Sequence, residues 1–217
     1  MKKKEGVIYY PVFLNVKGKK CIVVGGGEVA LRKTEVLLEH GAKVEVVSPE
    51  LCPELAELGQ SGEINTVSRE YKAGDLKNAF VAIAATDNGE INRRVVAEAR
   101  KMAVLVNVVD DAENSDFIAP SYLRRGDVAI AISTSGKSPA LARKIRSRLE
   151  EELGDEYALL ADLIGEVRVE VRKQKVKIGS QSWQAALDID RLLELLRKGE
   201  KEKARATLLS NLKIKQR

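Results

Sequence analysis

The sequence predicts an α/β fold in which a parallel β-sheet comes first, a small α+β region follows, and helices form the C-terminal domain. Three observations in the 217-residue chain support this prediction. Short apolar runs alternate with helical patterns in the first half, a glycine-rich turn joins the first such pair, and leucines at helical spacing replace the strands after residue 156. The order strand, helix, strand, helix implies a parallel sheet with right-handed crossovers.

The first half contains five predicted strands and three predicted helices. The fourth strand segment, residues 80–85, is nearly all apolar, which is typical of parallel strands that are covered on both faces. Gly41 follows the first helix, where a left-handed residue can end it, and Asp87 with Glu90 has the character of a capping box. We expect strands at residues 20–24, 43–48, 64–71, 80–85 and 104–109, and helices at residues 28–40, 53–59 and 87–102.

The pattern changes after residue 112. No crossover helix separates the next two predicted strands, 117–122 and 127–133. A helix with Pro139 in its first turn is predicted over residues 138–153, and the rest of the chain is mostly helical. The predicted domains are therefore residues 1–112, 113–149 and 150–217.

The formal net charge is +5, and the basic residues are unevenly spread. Eight Lys or Arg residues lie between Arg197 and Arg217, against only Glu200 and Glu202. This cluster has three interpretations: a solvated face, a nucleic-acid contact, or attraction for a polyanionic small molecule. Aromatic and basic residues do not alternate, so we expect no nucleic-acid partner. No apolar run reaches the length of about 18 residues that a membrane span needs.

Cysteine and histidine usage predicts a cytoplasmic protein without a metal centre. Cys21 and Cys52 form no CxxC motif, which favours a reduced compartment. His40 is the only histidine, and its place at a helix end beside Gly41 suits a capping or surface residue. We therefore expect neither a Cys/His metal site nor histidine-based catalysis.

Residues 25–30 read Gly-Gly-Gly-Glu-Val-Ala, which has the form G-x-G-x-x-A. Because the motif lies between a predicted strand and a predicted helix, it indicates a Rossmann-type dinucleotide-binding turn. The first glycine permits the tight turn, the third lets the backbone approach a pyrophosphate, and the alanine allows close packing. The helix N-terminus then faces the phosphates. A purely structural turn is the alternative. The predicted cofactor contacts in this turn are Gly25, Gly27, Glu28, Val29 and Ala30.

The end of the second predicted strand departs from the usual dinucleotide-binding pattern. An acidic residue is expected there to hold the adenosine ribose, but the strand ends in Ser48-Pro49, and Glu50 comes two residues after Ser48. Either Glu50 or Ser48 is expected to bind the ribose hydroxyls. Arg32 and Lys43 are nearby in sequence and could bind the 2′-phosphate of NADP, so NADP stays an alternative. NAD is favoured over NADP.

The end of the fourth predicted strand supplies further candidate cofactor contacts. Ala85, Thr86 and Asp87 follow this strand at the carboxyl edge of the sheet, where open parallel sheets bind ligands. Small residues at this position would let the nicotinamide ribose lie flat. An equally good interpretation of Asp87 is a helix N-cap.

The sequence resembles the precorrin-2 dehydrogenase/sirohydrochlorin ferrochelatase family, which includes the N-terminal half of sirohaem synthase. The resemblance spans residues 10–150 and implies a Rossmann domain, a central dimerisation region whose strands pair across a two-fold axis, and a small helical domain. No methyltransferase half follows, so we expect a stand-alone form, and the two-fold pairing that the resemblance implies predicts a homodimer. The matching segments are residues 10–14, 23–30 with Arg32-Lys33, 82–87, 107–110, 117–120 and 133–143.

The resemblance implies that the chain oxidises precorrin-2 to sirohydrochlorin with NAD in sirohaem biosynthesis, and that Asp110 is the catalytic residue. A carboxylate at the end of the fifth strand can accept the proton that dehydrogenation releases. Asn107 in the same segment is counted as a cofactor contact. Fe²⁺ insertion into the product is a further activity of some family members. Without the resemblance, Asp110 could equally be a loop cap.

The segment from Ser133 to Arg143 is the candidate substrate contact. It is rich in hydroxyl groups and leads into a helix, so that its N–H groups and cations form a plausible cradle for the carboxylates of precorrin-2. An ordinary helix cap at Ser138 is the simpler interpretation, and both can hold. The resemblance also points to a regulatory phosphoserine in this segment, but Thr134 occupies the matching position. The predicted substrate contacts are Thr134, Ser135, Lys137, Ser138 and Arg143.

Two other functions remain open from the sequence. The first is a nucleotide-sensing regulatory module, which would need neither a carboxylate at the sheet edge nor an anion cradle. The second is a different NAD(P)-dependent oxidoreductase, which would normally carry a Lys–Asp or Tyr–Lys pair at that edge.

Overall fold

The computed structural model describes residues 8–213. The chain forms two compact units that divide between Ala119 and Pro120. The predicted fold class is confirmed: a five-stranded parallel sheet with helices is followed by a two-stranded antiparallel sheet and further helices. The division into three domains stays a prediction.

The first unit is built on a parallel sheet with the strand order β3-β2-β1-β4-β5. Its register places Val24 beside Val47 and Ala84, and Ala84 beside Val108. Four strands therefore reach the carboxyl edge of the sheet in one row. The strands are β1 (Lys20–Val24), β2 (Lys43–Val47), β3 (Asn65–Val67), β4 (Val81–Ala84) and β5 (Leu105–Val108).

Three helices cover the sheet: α1 (Glu28–Glu39), α2 (Pro53–Gln60) and α3 (Gly89–Met102). Each presents its apolar stripe to one of two buried clusters. Leu37 of α1 and Leu55 of α2 belong to one cluster. Gly41 has a φ of 74°, in the left-handed region, as predicted for the residue that ends α1. The ring Nδ1 of His40 lies 2.7 Å from the Val36 carbonyl oxygen, which fits the predicted surface role.

The third strand is shorter than predicted. Residues 64–71 were expected to form it, but the structure has only Asn65–Val67. Arg69 makes two hydrogen bonds of 2.8 and 2.7 Å to the Asp75 carboxylate, and Tyr71 packs into the other apolar cluster. These contacts turn the chain away from β2 before the strand can continue.

The cap of α3 also differs from the prediction. Asn88, not Asp87, is the N-cap residue: its side-chain oxygen accepts hydrogen bonds from the Glu90 and Ile91 N–H groups. Asp87 is exposed. The capping interpretation of Asp87 is therefore wrong by one residue, because the helix begins at Gly89 rather than Asn88.

The second unit starts with an antiparallel hairpin, β6 (Ser121–Arg125) and β7 (Val128–Ile132). The first of these strands was predicted over residues 117–122, but it begins four residues later. The side-chain N–H of Asn107 binds the Phe117 carbonyl, and Pro120 has no N–H to donate to a strand partner. Helix α4 (Pro139–Glu152) then packs on the hairpin.

The remaining helices form their own apolar core. They are α5 (Glu156–Lys173), α6 (Ser180–Ala186), α7 (Ile189–Arg197) and α8 (Lys201–Asn211). Leu163, Leu192 and Leu208 are completely buried among them. Among the described helices, none is long and apolar enough to cross a membrane.

The basic C-terminal cluster is largely ion-paired. Arg197, at the end of α7, pairs with Glu156, and Lys201 and Arg205 of α8 pair with Glu166 and Glu170. All three glutamates lie on α5, so these ion pairs join α7 and α8 to α5. Lys198 and Lys203 pair with glutamates nearby in sequence. This favours the interpretation of the cluster as a solvated, charge-balanced face. Residues 215 and 217 lie outside the described residues.

Candidate active site

The glycine turn after β1 is packed so tightly that two of its residues leave no room for a side chain. A Cβ on Gly25 would lie 2.3 Å from the Ala85 carbonyl oxygen, and the φ of Gly25 is 126°. A Cβ on Gly26 would lie 1.8 Å from the Glu50 carbonyl oxygen. The turn is thus enclosed by the loops that follow β4 and β2.

Gly27 is different, because a Cβ there would have no atom within 4 Å. It is the N-cap residue of α1, and no side chain caps the helix. The first bond of the helix runs from the Leu31 N–H to the Gly27 carbonyl, at 3.0 Å. The N–H groups of Glu28, Val29 and Ala30 are therefore left for a ligand, and the positive end of the helix dipole faces the same space. These residues fit a dinucleotide pyrophosphate.

The loop after β2 is held against the glycine turn. The Ser48 hydroxyl donates a 2.7 Å hydrogen bond to the Glu50 carbonyl, and the Cys52 N–H donates one of the same length to the Gly26 carbonyl. The Ser48 side chain therefore braces the loop. Pro49 and Glu50 are exposed, which leaves the Glu50 carboxylate as the group free to meet a ribose. Lys43 starts β2 at the opposite edge of the sheet, so it is no candidate for a 2′-phosphate.

The Thr86 hydroxyl group, in the loop after β4, also forms a hydrogen bond within the first unit. Thr86 donates a 2.8 Å hydrogen bond to the Asn92 side-chain oxygen, and the Asn92 side-chain N–H donates back to the Thr86 carbonyl at 2.9 Å. Ala85 closes the glycine turn by its carbonyl group. Asp87 is exposed at the same edge. Thr86 and Ala85 therefore form this wall of the site, and the Asp87 carboxylate is exposed to solvent.

The loop after β5 folds back along that strand and occupies its open edge. The Asp116 carboxylate accepts a 2.9 Å hydrogen bond from the Val106 N–H. The Ser115 hydroxyl accepts one of 2.8 Å from the Val108 N–H and donates to the Asp111 carbonyl at 2.7 Å. Asn107 is 7% exposed, and its bond to the Phe117 carbonyl makes it a brace of this loop.

Asp110 lies in this braced loop with a φ of 59°, a left-handed conformation that few residues other than glycine adopt. Its side chain is exposed beyond the end of β5. The neighbouring Asp111 is used differently: its carboxylate accepts hydrogen bonds from the Asn114 side chain at 2.7 Å and from the Asn114 N–H at 3.1 Å. Those bonds lower the pKa of Asp111. The Asp111 carboxylate is thus engaged within the loop, whereas the Asp110 carboxylate is exposed.

Lys33 is a residue that the sequence did not single out as functional. It lies on α1 and is half-buried. Burial lowers the pKa of Lys33, the positive charge of Arg32 lowers it further, and the negative charge of Asp110 raises it. The signal in the sequence was a charged residue in an otherwise apolar stripe, but its nearness to Asp110 depends on the fold.

In the second unit, the Ser133–Arg143 segment forms a tight turn and a capped helix. The Thr134 hydroxyl oxygen accepts a 3.0 Å hydrogen bond from the Ser138 N–H, and the Ser138 hydroxyl oxygen accepts one of 3.2 Å from the Leu141 N–H. Pro139 has no N–H, so only the Ala140 N–H stays available in the first turn of α4. The expected cap at Ser138 is present, and the predicted cradle has fewer backbone donors than expected.

The predicted side-chain donors of this cradle are exposed. Ser135 has a φ of 51°, and its N–H donates to the Ser133 hydroxyl oxygen at 3.0 Å. Lys137 and Arg143 are exposed, and no ion pair engages either of them among the described residues. Their positive charges are therefore available to an anion.

Comparison with known proteins gives consistent results for both units. Residues 12–121 match a family described as putative NAD(P)-binding, and residues 125–152 match one described as sirohaem biosynthesis protein central. A solved structure titled "SirC, precorrin-2 dehydrogenase" superposes with a TM-score of 0.67 at 25% identity, covering 94% of this chain and 99% of that one.

Sirohaem synthases are similar to most of the chain. The one from Chromobacterium violaceum is 40% identical over 202 residues, and the one from Nitrosomonas europaea is 44% identical over 167 residues. These alignments cover 92% and 76% of this chain but only 43% and 35% of the relatives. The chain thus spans less than half the length of the curated relatives that it matches. By its sequence, the chain belongs to the family described as putative NAD(P)-binding.

Proposed function

We propose that this chain oxidises precorrin-2 to sirohydrochlorin with NAD as the hydride acceptor. The observation that carries the proposal is the uncapped N-terminus of α1, where the N–H groups of Glu28, Val29 and Ala30 face open space beside Gly27. The likeness to a solved precorrin-2 dehydrogenase supports the choice of substrate.

The cofactor contacts follow from the geometry of the first unit. The N-terminus of α1 binds the pyrophosphate, since helix N-termini attract anions. The exposed Glu50 carboxylate binds the ribose hydroxyls and repels a 2′-phosphate, which favours NAD over NADP. Bound NAD supplies a carbon that accepts the hydride. Ser48, Thr86 and Asn107 hold the walls of the site in place through their hydrogen bonds.

Asp110 is the proposed proton acceptor. The reaction converts precorrin-2 and NAD⁺ into sirohydrochlorin, NADH and a proton, so a base must receive the proton while the hydride leaves. The Asp110 carboxylate is exposed at the sheet edge and has no hydrogen-bond partner among the described side chains, so it is free to act. In the second unit, Lys137 and Arg143 are the proposed contacts for the acetate and propionate groups of the substrate.

The proposal is tested by anaerobic assay of the purified chain with precorrin-2 and NAD, following NADH formation and the sirohydrochlorin spectrum. We expect turnover by the wild type and near-complete loss in Asp110→Asn, with NAD binding by calorimetry unchanged. Asp111→Asn is the matched control, because that carboxylate faces Asn114, and it should keep most of the activity. Full turnover in Asp110→Asn would exclude the assigned role, and absence of NAD binding at millimolar concentration would exclude the proposed redox reaction.

The compartment and the iron reaction belong to the same proposal. A cytoplasmic location is supported by Cys21 and Cys52, which are both free thiols. Fe²⁺ would enter as a substrate, with Asp110 accepting pyrrole protons, and adding Fe²⁺ to sirohydrochlorin in the assay tests this step separately. Among the described residues, no cluster of acidic, histidine or cysteine side chains could hold a resident metal ion.

A homodimer is the proposed assembly. Two-stranded sheets are marginal in isolation, and the β6–β7 hairpin pairs with no further strand among the described residues. Leu141 and Ile145, one turn apart on α4, are 52% and 37% exposed. Light scattering coupled to size exclusion measures the assembly directly, and a monomer at micromolar concentration would contradict it.

A further inference from the structure

The N-terminal arm, residues 8–16, contains no charged side chain, although 32% of the residues in the whole chain are charged. The arm forms neither a helix nor a strand. An apolar segment that the fold does not bury marks a surface that binds a ligand or a partner. The large apolar side chains that the arm exposes are those of Ile8, Tyr10, Val12, Phe13 and Leu14.

Contacts at both of its ends hold the arm on the first unit. At its far end, Val16 is buried in the same apolar cluster as Leu37 of α1. At its near end, the Tyr9 hydroxyl donates a 3.3 Å hydrogen bond to the Ala112 carbonyl. Ala112 comes two residues after Asp110, and two residues of chain span at most about 7 Å. The arm therefore begins beside the loop that carries the proposed proton acceptor.

The exposed apolar surface of the arm is largest at this near end. Ile8 and Tyr10, the two neighbours of Tyr9, are 95% and 86% exposed, whereas Leu14 is 41% exposed. Because consecutive Cα atoms are about 3.8 Å apart, both neighbours stay close to the Tyr9 contact with the Asp110 loop. This location favours a ligand of the proposed active site over a partner that lies along the whole arm.

We propose that Ile8 and Tyr10 bind one apolar face of the tetrapyrrole ring of precorrin-2, with the Tyr10 ring stacked against it. The inference rests on the proposed function for the identity of this ligand. Cations bind the carboxylates at the rim of the tetrapyrrole, but its ring faces need apolar contacts, for which aromatic side chains are suited. Tyr10 is the most exposed aromatic side chain among the described residues.

The first test measures binding without turnover. Sirohydrochlorin is titrated into the protein anaerobically and without NAD, and its fluorescence is followed. We expect the Kd to rise about 10-fold in Tyr10→Ala and to stay near the wild-type value in Tyr10→Phe, which keeps the aromatic ring. Met102→Ala is the matched control, since Met102 is 42% exposed at the end of α3, at the amino edge of the sheet. An unchanged Kd in Tyr10→Ala would overturn the inference.

The second test separates the apolar face of the ligand from its charged rim. Salt screens the attraction between cations and carboxylates but not an apolar contact. The ratio of the Kd of Tyr10→Ala to that of the wild type should therefore be the same at about 0.01 M and about 1 M sodium chloride. A ratio that falls toward one at high salt would mean that Tyr10 acts on the carboxylates, and it would overturn the stacking contact.

The third test concerns the hydrogen bond that holds the arm at the Asp110 loop. Tyr9→Phe removes the hydroxyl that binds the Ala112 carbonyl and should weaken sirohydrochlorin binding about threefold. Because this bond acts through the side chains that it positions, the double variant Tyr9→Phe, Tyr10→Ala should lose less affinity than the two single effects multiplied. Independent, multiplicative losses would overturn the proposed placement of Tyr10.

A second copy of the chain is the other occupant that the arm could have. Light scattering should give the same mass for Tyr10→Ala as for the wild type, and a lower mass would assign the arm to a contact between copies and overturn the inference. If the wild type binds sirohydrochlorin but does not oxidise precorrin-2, the proposed function fails. The titrations of Tyr10→Ala and Tyr10→Phe then still decide whether the arm binds the macrocycle.

Discussion

At the scale of single residues, the glycine turn shows that neighbouring glycines serve different purposes. Gly25 and Gly26 are required by the fold, because their missing side chains make room for the carbonyl groups of Ala85 and Glu50. Gly27 faces open space, so the fold alone does not explain it. The proposed dinucleotide, which would approach the backbone here, accounts for its small size.

This difference predicts opposite phenotypes for two conservative substitutions. Gly25→Ala should destabilise the first unit by more than the about 1–3 kcal/mol typical of overpacking, because the φ of 126° adds strain. Gly27→Ala should keep the wild-type thermal stability but weaken NAD binding by at least about 10-fold, which corresponds to about 1.4 kcal/mol. Thermal denaturation and calorimetry measure the two effects, and normal NAD affinity in Gly27→Ala would contradict the pyrophosphate contact.

Asp110 is a second case, in which the proposed function and the backbone conformation are in conflict. A left-handed residue is most easily a glycine, yet an aspartate has this conformation at the sheet edge. Asp110→Gly should therefore be as stable as the wild type or more stable, by up to about 1 kcal/mol, while losing turnover. Asp110→Ala should be less stable than Asp110→Gly. Denaturant titrations rank the three proteins, and equal stability of the alanine and glycine variants would argue against the left-handed conformation.

The buried thiol of Cys21 makes stability depend on pH. Burial raises the pKa of Cys21 from 9.0 to about 11. The folded state therefore keeps this proton longer than the unfolded state, and the resulting stability is present below pH 9 and is lost as the pH rises toward 11. Unfolding of Cys21→Val should show a weaker pH dependence in that window, by about 2 kcal/mol. Parallel profiles for the two proteins would contradict the prediction.

At the scale of secondary structure, the N-terminus of α3 shows which of two adjacent residues caps the helix. Asn88 accepts two backbone hydrogen bonds, whereas Asp87 makes none that caps the helix. Asn88→Ala should therefore cost about 1 kcal/mol of stability, and Asp87→Ala should stay within about 0.5 kcal/mol of the wild type. Urea denaturation compares the two variants. A larger loss in Asp87→Ala would restore Asp87 as the cap.

The elements also show how far the sequence could predict the structure. β1 and α1 were predicted nearly to the residue, because an apolar run, a glycine turn and a helical stripe are local signals. The third strand and the start of β6 were not, since Arg69–Asp75 and Asn107–Phe117 are pairings between side chains and groups several residues away.

At the scale of the whole molecule, the net charge of the chain is related to the charge of the proposed substrate. The 37 basic residues exceed the 32 acidic ones by five, and much of the C-terminal excess is neutralised by glutamates. The exposed and unpaired cations that remain, including Lys137 and Arg143, can act on a distant anion. A positively charged surface raises the rate at which a polyanionic substrate arrives, rather than the rate of its chemistry.

This argument predicts a specific response to salt. Raising the ionic strength from about 0.01 M to about 0.15 M shortens the Debye length from about 30 Å to about 8 Å. The kcat/KM for precorrin-2 should fall by at least about threefold over that range, while kcat at saturating substrate stays constant. The double variant Lys137→Gln, Arg143→Gln should have a lower kcat/KM at low salt and a smaller salt response. A fall in kcat instead would contradict electrostatic steering, because steering acts only on free substrate.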